Sequence, residues 1–168
     1  MARKVQAVLT WLTDTPNEVS TPAAKELGTK VAALLRERFP AELVPVEHSN
    51  AGATTAAVRH SLQSAVAGFE AEQDGLLVLA FSGHGSLLPD KQLAWVLHDG
   101  KLREDVLYQE LDKLPQAVEV VLVMDCCGAS EVMPWCHVSQ RRWLARIHRR
   151  TEAMVLRLSQ GARADTPA

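Results

Sequence analysis

Gly75-Leu76-Leu77-Val78-Leu79-Ala80-Phe81 is an apolar run that stops abruptly at Ser82-Gly83-His84-Gly85. A short, unbroken apolar stretch bounded by turn residues is the pattern of a strand buried on both faces of a parallel sheet. A half-solvated strand would alternate instead. A second run of the same character, Val118 to Met124, stops at Asp125-Cys126-Cys127-Gly128. Two strands of this kind need helices over both faces of their sheet, so the intervening and preceding segments are expected to supply them.

Working outward, Lys4 to Leu12 reads as a strand ahead of the turn-forming Asp14-Thr15-Pro16-Asn17. Thr21-Pro22 fits a cap and first turn, and Leu27, Val31, Leu34 and Leu35 recur at helical spacing until Pro40. Leu43 to Val46 reads as a short second strand. Asn50 to Thr55 supplies a loop and cap for a helix with an apolar face of Val58, Leu62, Ala65, Val66 and Phe69. Leu93 to Leu97 is a short strand ending at Asp99-Gly100, and Glu104 to Leu111 a short helix. Beyond Pro134, a basic helical stretch from Ser139 to Arg150 and a last strand at Ala153 to Leu158 are expected. The alternation of strands and helices implies an α/β fold with a mostly parallel sheet, one domain over residues 1–160 and a loose tail over 161–168.

Composition narrows the function classes. The chain has 168 residues, 47% hydrophobic and 23% charged, which suits one core. No run approaches the roughly 20 apolar residues of a membrane span, and Met1-Ala2-Arg3-Lys4 leads into an interrupted segment unlike a signal peptide. Three cysteines, two adjacent, make no disulfide framework and suit a reducing compartment, so a cytoplasmic location is expected. A formal net charge of −2 argues against a nucleic-acid glove. Seven arginines between Arg141 and Arg163 are compatible with a solvated helix face, a docking surface for an acidic partner, or a processing segment with cleavage after Arg149 or Arg150.

The chemistry concentrates where the two buried runs stop. Ligands gather at the carboxyl ends of the strands of open α/β sheets, which lets His84 and Cys127 meet. A thiol attacks as thiolate, and a nearby imidazole takes its proton and later delivers it to a leaving amine. Backbone N–H groups at Gly85 and Cys127 are candidates for an oxyanion hole. Residues two apart on a strand share a face, so Asp125 goes with Cys127, and Cys126 points the other way as a small buried hydrophobe. Asp125 reads either as a substrate-side carboxylate or as a strand-end cap on backbone N–H groups. Cys126, Cys127, Cys136 and His137 are poorly spaced for zinc, and no metal site is expected. His48, His60, His98 and His148 read as surface residues without a matching partner. Trp95 and Trp143 read as core or partner contacts.

Ser82-Gly83-His84-Gly85 and Asp125-Cys126-Cys127 resemble the His-Gly and Asp-x-Cys motifs of the metacaspase and bacterial caspase-like branch of the caspase clan. The order of elements from Lys4 to Asp125 is similar, and His98-Asp99-Gly100-Lys101-Leu102 with the following helix resembles the connector before the cysteine strand. The resemblance implies a three-layer α/β/α caspase-like fold, Cys127 as nucleophile, His84 as general base and acid, and Asp125 selecting Arg or Lys at P1. It implies a polypeptide substrate, a regulatory or completing protein partner as in bacterial defence systems, and no organic cofactor. Gly128-Ala129-Ser130 departs from the family's His-Ser-Gly, and Leu87-Leu88-Pro89-Asp90-Lys91 is poor in the acids that would support a calcium site. The sequence stops soon after Leu158, where caspase-like folds continue into a small-subunit region. A caspase-fold interaction module with little activity of its own is therefore the alternative.

Overall fold

Every residue of the strand Gly75–Ser82 is buried, and the sheet is built outward from it. A computed structural model describes residues 3–126 apart from 17, 19, 21, 40–44, 72–73 and 91. In chain order the elements are β1 (Lys4–Trp11), α1 (Pro22–Arg38), β2 (Val46–Ser49), α2 (Thr55–Ala67), β3 (Gly75–Ser82), β4 (Gly85–Leu87), β5 (Leu93–Val96), β6 (Lys101–Arg103), α3 (Glu104–Leu111) and β7 (Val118–Asp125). The main sheet has the order β2-β1-β3-β7, and all its pairs are parallel. Strands β4, β5 and β6 form a separate antiparallel sheet. The expected basic helix, last strand and tail, together with Cys127, Cys136, His137, Trp143, His148, Arg149 and Arg150, lie outside the described residues.

Parallel strands joined by right-handed crossovers dictate which face each helix covers. The chain steps from β1 to β2 in one direction along the sheet, and from β2 past β1 to β3 and then β7 in the other. The first crossover helix must therefore lie on the opposite face from the later two. Ala32 and Leu35 of α1 pack with Val5, Ala7, Leu9, Leu76, Val78 and Ala80 on one face. On the other, α2 and α3 bring Val58, Leu62, Leu107 and Leu111 against Val8, Leu77, Leu79, Phe81, Val118 and Val120. The result is the three-layer α/β/α fold expected from the sequence.

Local chemistry explains the helices. Thr54 caps α2, its side chain accepting from the Ala57 amide, and Asp99 accepts from the Thr55 amide at 2.7 Å and the Thr55 hydroxyl at 2.6 Å. Helix α3 spans the residues expected. Its Glu110 is only 3% exposed yet ionised, held below the usual carboxylate range by the Lys113 ammonium and by Gln63 of α2.

Three expectations shift. Leu34 was expected on the buried face of α1 but is 49% exposed. The contact face is set by Ala24, Gly28, Ala32 and Leu35, and Leu34 falls roughly 115° from its centre. Gly28 is there because Trp11 of β1 lies on it: a Cβ would sit 2.5 Å from the indole ring. The second strand is found at Val46–Ser49, further along the chain than Leu43 to Val46, with Val8 opposite Val46 and Trp11 opposite Ser49. At a sheet edge it needs no apolar run, and Val46 is itself exposed. Third, His48 on β2 has a partner, its Nε2 lying 2.9 Å from Ser61 Oγ of α2. The small sheet joins the main core through Trp95, whose ring stacks on Phe81 at 4.5 Å. Among the described residues no helix is long and apolar enough to cross a membrane.

Two measurements check this packing. Gly28→Ala gains about 1 kcal/mol in helix propensity, yet should destabilise the protein by about 1–3 kcal/mol through overpacking against Trp11, read by urea denaturation. Leu34→Ala should change stability by less than about 0.5 kcal/mol. Burial lowers the His48 pKa from its ordinary value, opposed by a backbone hydrogen bond at Gly52. Its imidazole should therefore titrate below about 6.5 in an NMR pH series. Because the folded state prefers the neutral ring, this group's contribution to stability is complete above that pH and is lost as pH falls through the folded value.

Candidate active site

Connections leaving adjacent strands β1 and β3 go to opposite faces of the sheet, the kind of position at which open α/β sheets receive ligands, outside the carboxyl ends of the strands. The rim of β1 is fastened on both sides. The Leu12 amide donates to the Ser82 carbonyl at 3.0 Å, and Asn50 Oδ1 accepts from the Thr13 amide at 2.9 Å and the Thr13 hydroxyl at 3.0 Å. Asn50 does this from a left-handed backbone, φ 43°, which asparagine tolerates better than most residues. Asp14 follows, exposed at the same rim.

His84 lies just past β3, half-buried, with its backbone pinned from two directions. The Gly83 amide donates to the Asp125 carbonyl at 3.1 Å, extending the β3–β7 ladder by one bond, and the Val96 amide donates to the His84 carbonyl at 2.9 Å. Gly83 is buried, and a Cβ there would lie 3.3 Å from the Phe81 ring, which explains one of the two flanking glycines. The second, Gly85, opens β4 opposite Trp95. Antiparallel pairs alternate between hydrogen-bonded and non-hydrogen-bonded. The bond from Val96 to His84 makes Gly85–Trp95 a non-bonded pair, so the Gly85 N–H points away from β5. The Gly85 N–H is therefore not used in the ladder with β5.

Asp125 ends β7 opposite Ser82 and is exposed. Its Oδ2 accepts from the Ser82 hydroxyl at 3.0 Å, and the backbone N–H groups from residue 127 onward that a strand-end cap would use lie outside the described residues. Val121 and Val123 pack with the α1 core, whereas Leu122, Met124 and Cys126 pack with the opposite one, and Cys126 lies against Leu93, as do Tyr108 and Met124. Cys126 thus faces away from Asp125, as the strand period requires. The structure brings His84, Gly85 and Asp125 to one edge of the sheet, and Cys127 lies outside the described residues.

Sequence reasoning missed Ser82 and Asn50. For Asn50 a signal was present, an asparagine at a strand end where left-handed turns are common, whereas the role of Ser82 follows from its pairing with Asp125 across β3 and β7. In the loop after β4, Asp90 is paired with Arg103 at 2.8 Å, which lowers its pKa. Among the described residues no group of His, Cys, Asp or Glu is arranged to hold a metal ion.

No family model matches the chain, and no curated protein matches it. Among solved structures it is similar to the crystal structure of protein GSU0716 from Geobacter sulfurreducens, with 22% identity and a TM-score of 0.64. The alignment covers 92% of this chain and 65% of the other, so the chain spans about two thirds of that protein's length. At this identity the likeness bears on architecture alone, and it agrees with the three-layer α/β/α fold.

Proposed function

We propose that the protein is a cytoplasmic cysteine endopeptidase of the caspase-like kind, cleaving polypeptides after Arg or Lys with Cys127 as nucleophile and His84 as general base and acid. The observation that carries this reading is the register of β3 and β7. Ser82 is paired with Asp125, so His84 and Cys127 each stand two residues past paired strand ends. A nucleophile and its base must come within hydrogen-bond reach of each other, and equal offsets from adjacent parallel strands support that pairing.

In this reading the Cys127 thiol gives its proton to His84, and the sulfur attacks the scissile carbonyl carbon. Electrons move onto the carbonyl oxygen, which the outward Gly85 N–H stabilises together with the Cys127 N–H. Collapse breaks the C–N bond, and His84 returns the proton to the leaving amine. Water, deprotonated by His84, then attacks the thioester carbonyl, the C–S bond breaks, and His84 returns the proton to the departing Cys127 sulfur. Asp125, oriented by the Ser82 hydroxyl, pairs with the guanidinium or ammonium at P1. A controlling or completing protein partner belongs to the same proposal.

Fluorogenic peptides with Arg, Lys or Asp at P1 test it. Cys127→Ala and His84→Ala should each lower kcat/KM by about a thousandfold or more, and Cys126→Ala should leave it within a few-fold. Because Asp125 is exposed, Asp125→Asn should reduce the preference for Arg over a neutral P1 by about tenfold rather than abolish turnover. Activity surviving Cys127→Ala would refute the nucleophile. A preference for Asp at P1 would refute the role of Asp125, and silence of the wild type would favour an interaction module.

A further inference from the structure

The same alternation that turns the Gly85 N–H outward continues along β4. The Leu88 amide donates to the Gln92 carbonyl at 2.8 Å, and Val96 donates to His84 at the other end. With Gly85 opposite Trp95, Ser86 opposite Ala94 and Leu87 opposite Leu93, the hydrogen-bonded position is Ser86. Gly85 and Leu87 therefore present their N–H and C=O groups away from β5, along the outer edge of the small sheet. Strand β4 pairs with β5 alone among the described residues.

Proteins usually blunt such an edge with charge, proline or a covering element. Here the residue in the middle of the open position, Leu87, is apolar and 55% exposed. The edge also begins at the residue directly after His84. Gly85 and Leu87 are two residues apart, about 6.7 Å, which is the repeat at which an extended peptide offers its own N–H and C=O groups on one side. A peptide whose scissile carbonyl meets the Gly85 N–H is thereby placed to continue onto Leu87.

We propose that the outer edge of β4 takes the backbone of the polypeptide substrate beside the scissile bond as an added strand, with Gly85 and Leu87 supplying the main-chain hydrogen bonds and the Leu87 side chain an apolar contact. The inference rests on the peptidase reading above. It adds a recognition element that reads backbone and extended conformation, where Asp125 reads charge.

The test uses the full chain carrying Cys127→Ala, so that nothing is turned over, and a fluorescein-labelled extended peptide with a central Arg, followed by anisotropy. Methylating the peptide's backbone nitrogens one at a time should weaken binding about fivefold at alternating positions and leave the intervening ones unchanged. Leu87→Pro removes an outward N–H without touching the β5 ladder and should weaken binding about fivefold. Leu87→Ala keeps that N–H and should preserve the alternation. Binding that ignores both N-methylation and Leu87→Pro overturns the added strand, whatever the wild type hydrolyses. Alternation without wild-type hydrolysis supports the added strand and overturns the peptidase. Absence of both binding and hydrolysis overturns both.

Discussion

Two backbone hydrogen bonds bracket His84, one from Gly83 to the last residue of β7 and one from Val96 to the histidine's own carbonyl. They hold the residue at the junction where a parallel sheet hands over to an antiparallel one. A side chain on an ordinary loop would sample many positions, and each residue held in one conformation costs about 1–2 kcal/mol in backbone entropy. Here that cost is met by the folding of two sheets. The stacked Phe81 and Trp95 rings bind the sheets together directly beneath, and Gly83 lets the chain turn between them without a clash.

The rest of the architecture serves this junction. Helices α2 and α3 bury the face that carries Phe81, so the two sheets share one core. Helix α1 approaches the other face closely because Ala24, Gly28 and Ala32 are small, and Trp11 fills the space against Gly28. On that α1 side of β7, Asp125 continues the row of Val121 and Val123 and meets the Ser82 hydroxyl. Each rim residue is thus positioned by the packing of the strand it ends.

The elements legible in the sequence were those with strong periodicity. The unbroken apolar runs at β3 and β7 read as strands, although only β3 is buried along its whole length and β7 is buried at Val118 and Val120 alone, and Glu104 to Leu111 carried its own helical spacing. What escaped was structure decided by neighbours. Strands β4 and β6 are three residues each, too short for any period to register, and exist because they pair with β5. Edge strand β2 was displaced because its sequence is not apolar. Leu34 was misplaced because the face turned to the sheet is set by Ala24, Gly28, Ala32 and Leu35, which leaves Leu34 off it. At the rim, the histidine, its glycines and the acid were legible from motif and strand period. The hydroxyl partner Ser82 was not, because it depends on the β3–β7 register, which one strand's sequence does not state.

That register has a consequence for the timing of assembly. Ser82 and Asp125 are 43 positions apart along the chain, and the Arg3 guanidinium reaches the Gly75 carbonyl across 72. Contacts this distant form slowly, since long loops must close before any pairing rewards them. A growing chain that has not yet extended through β7 has neither the carbonyl that anchors Gly83 nor the acid that Ser82 orients. Synthesis from the N-terminus therefore leaves the rim unassembled until β7 arrives, so a nascent chain carries its histidine before the strand that pins it.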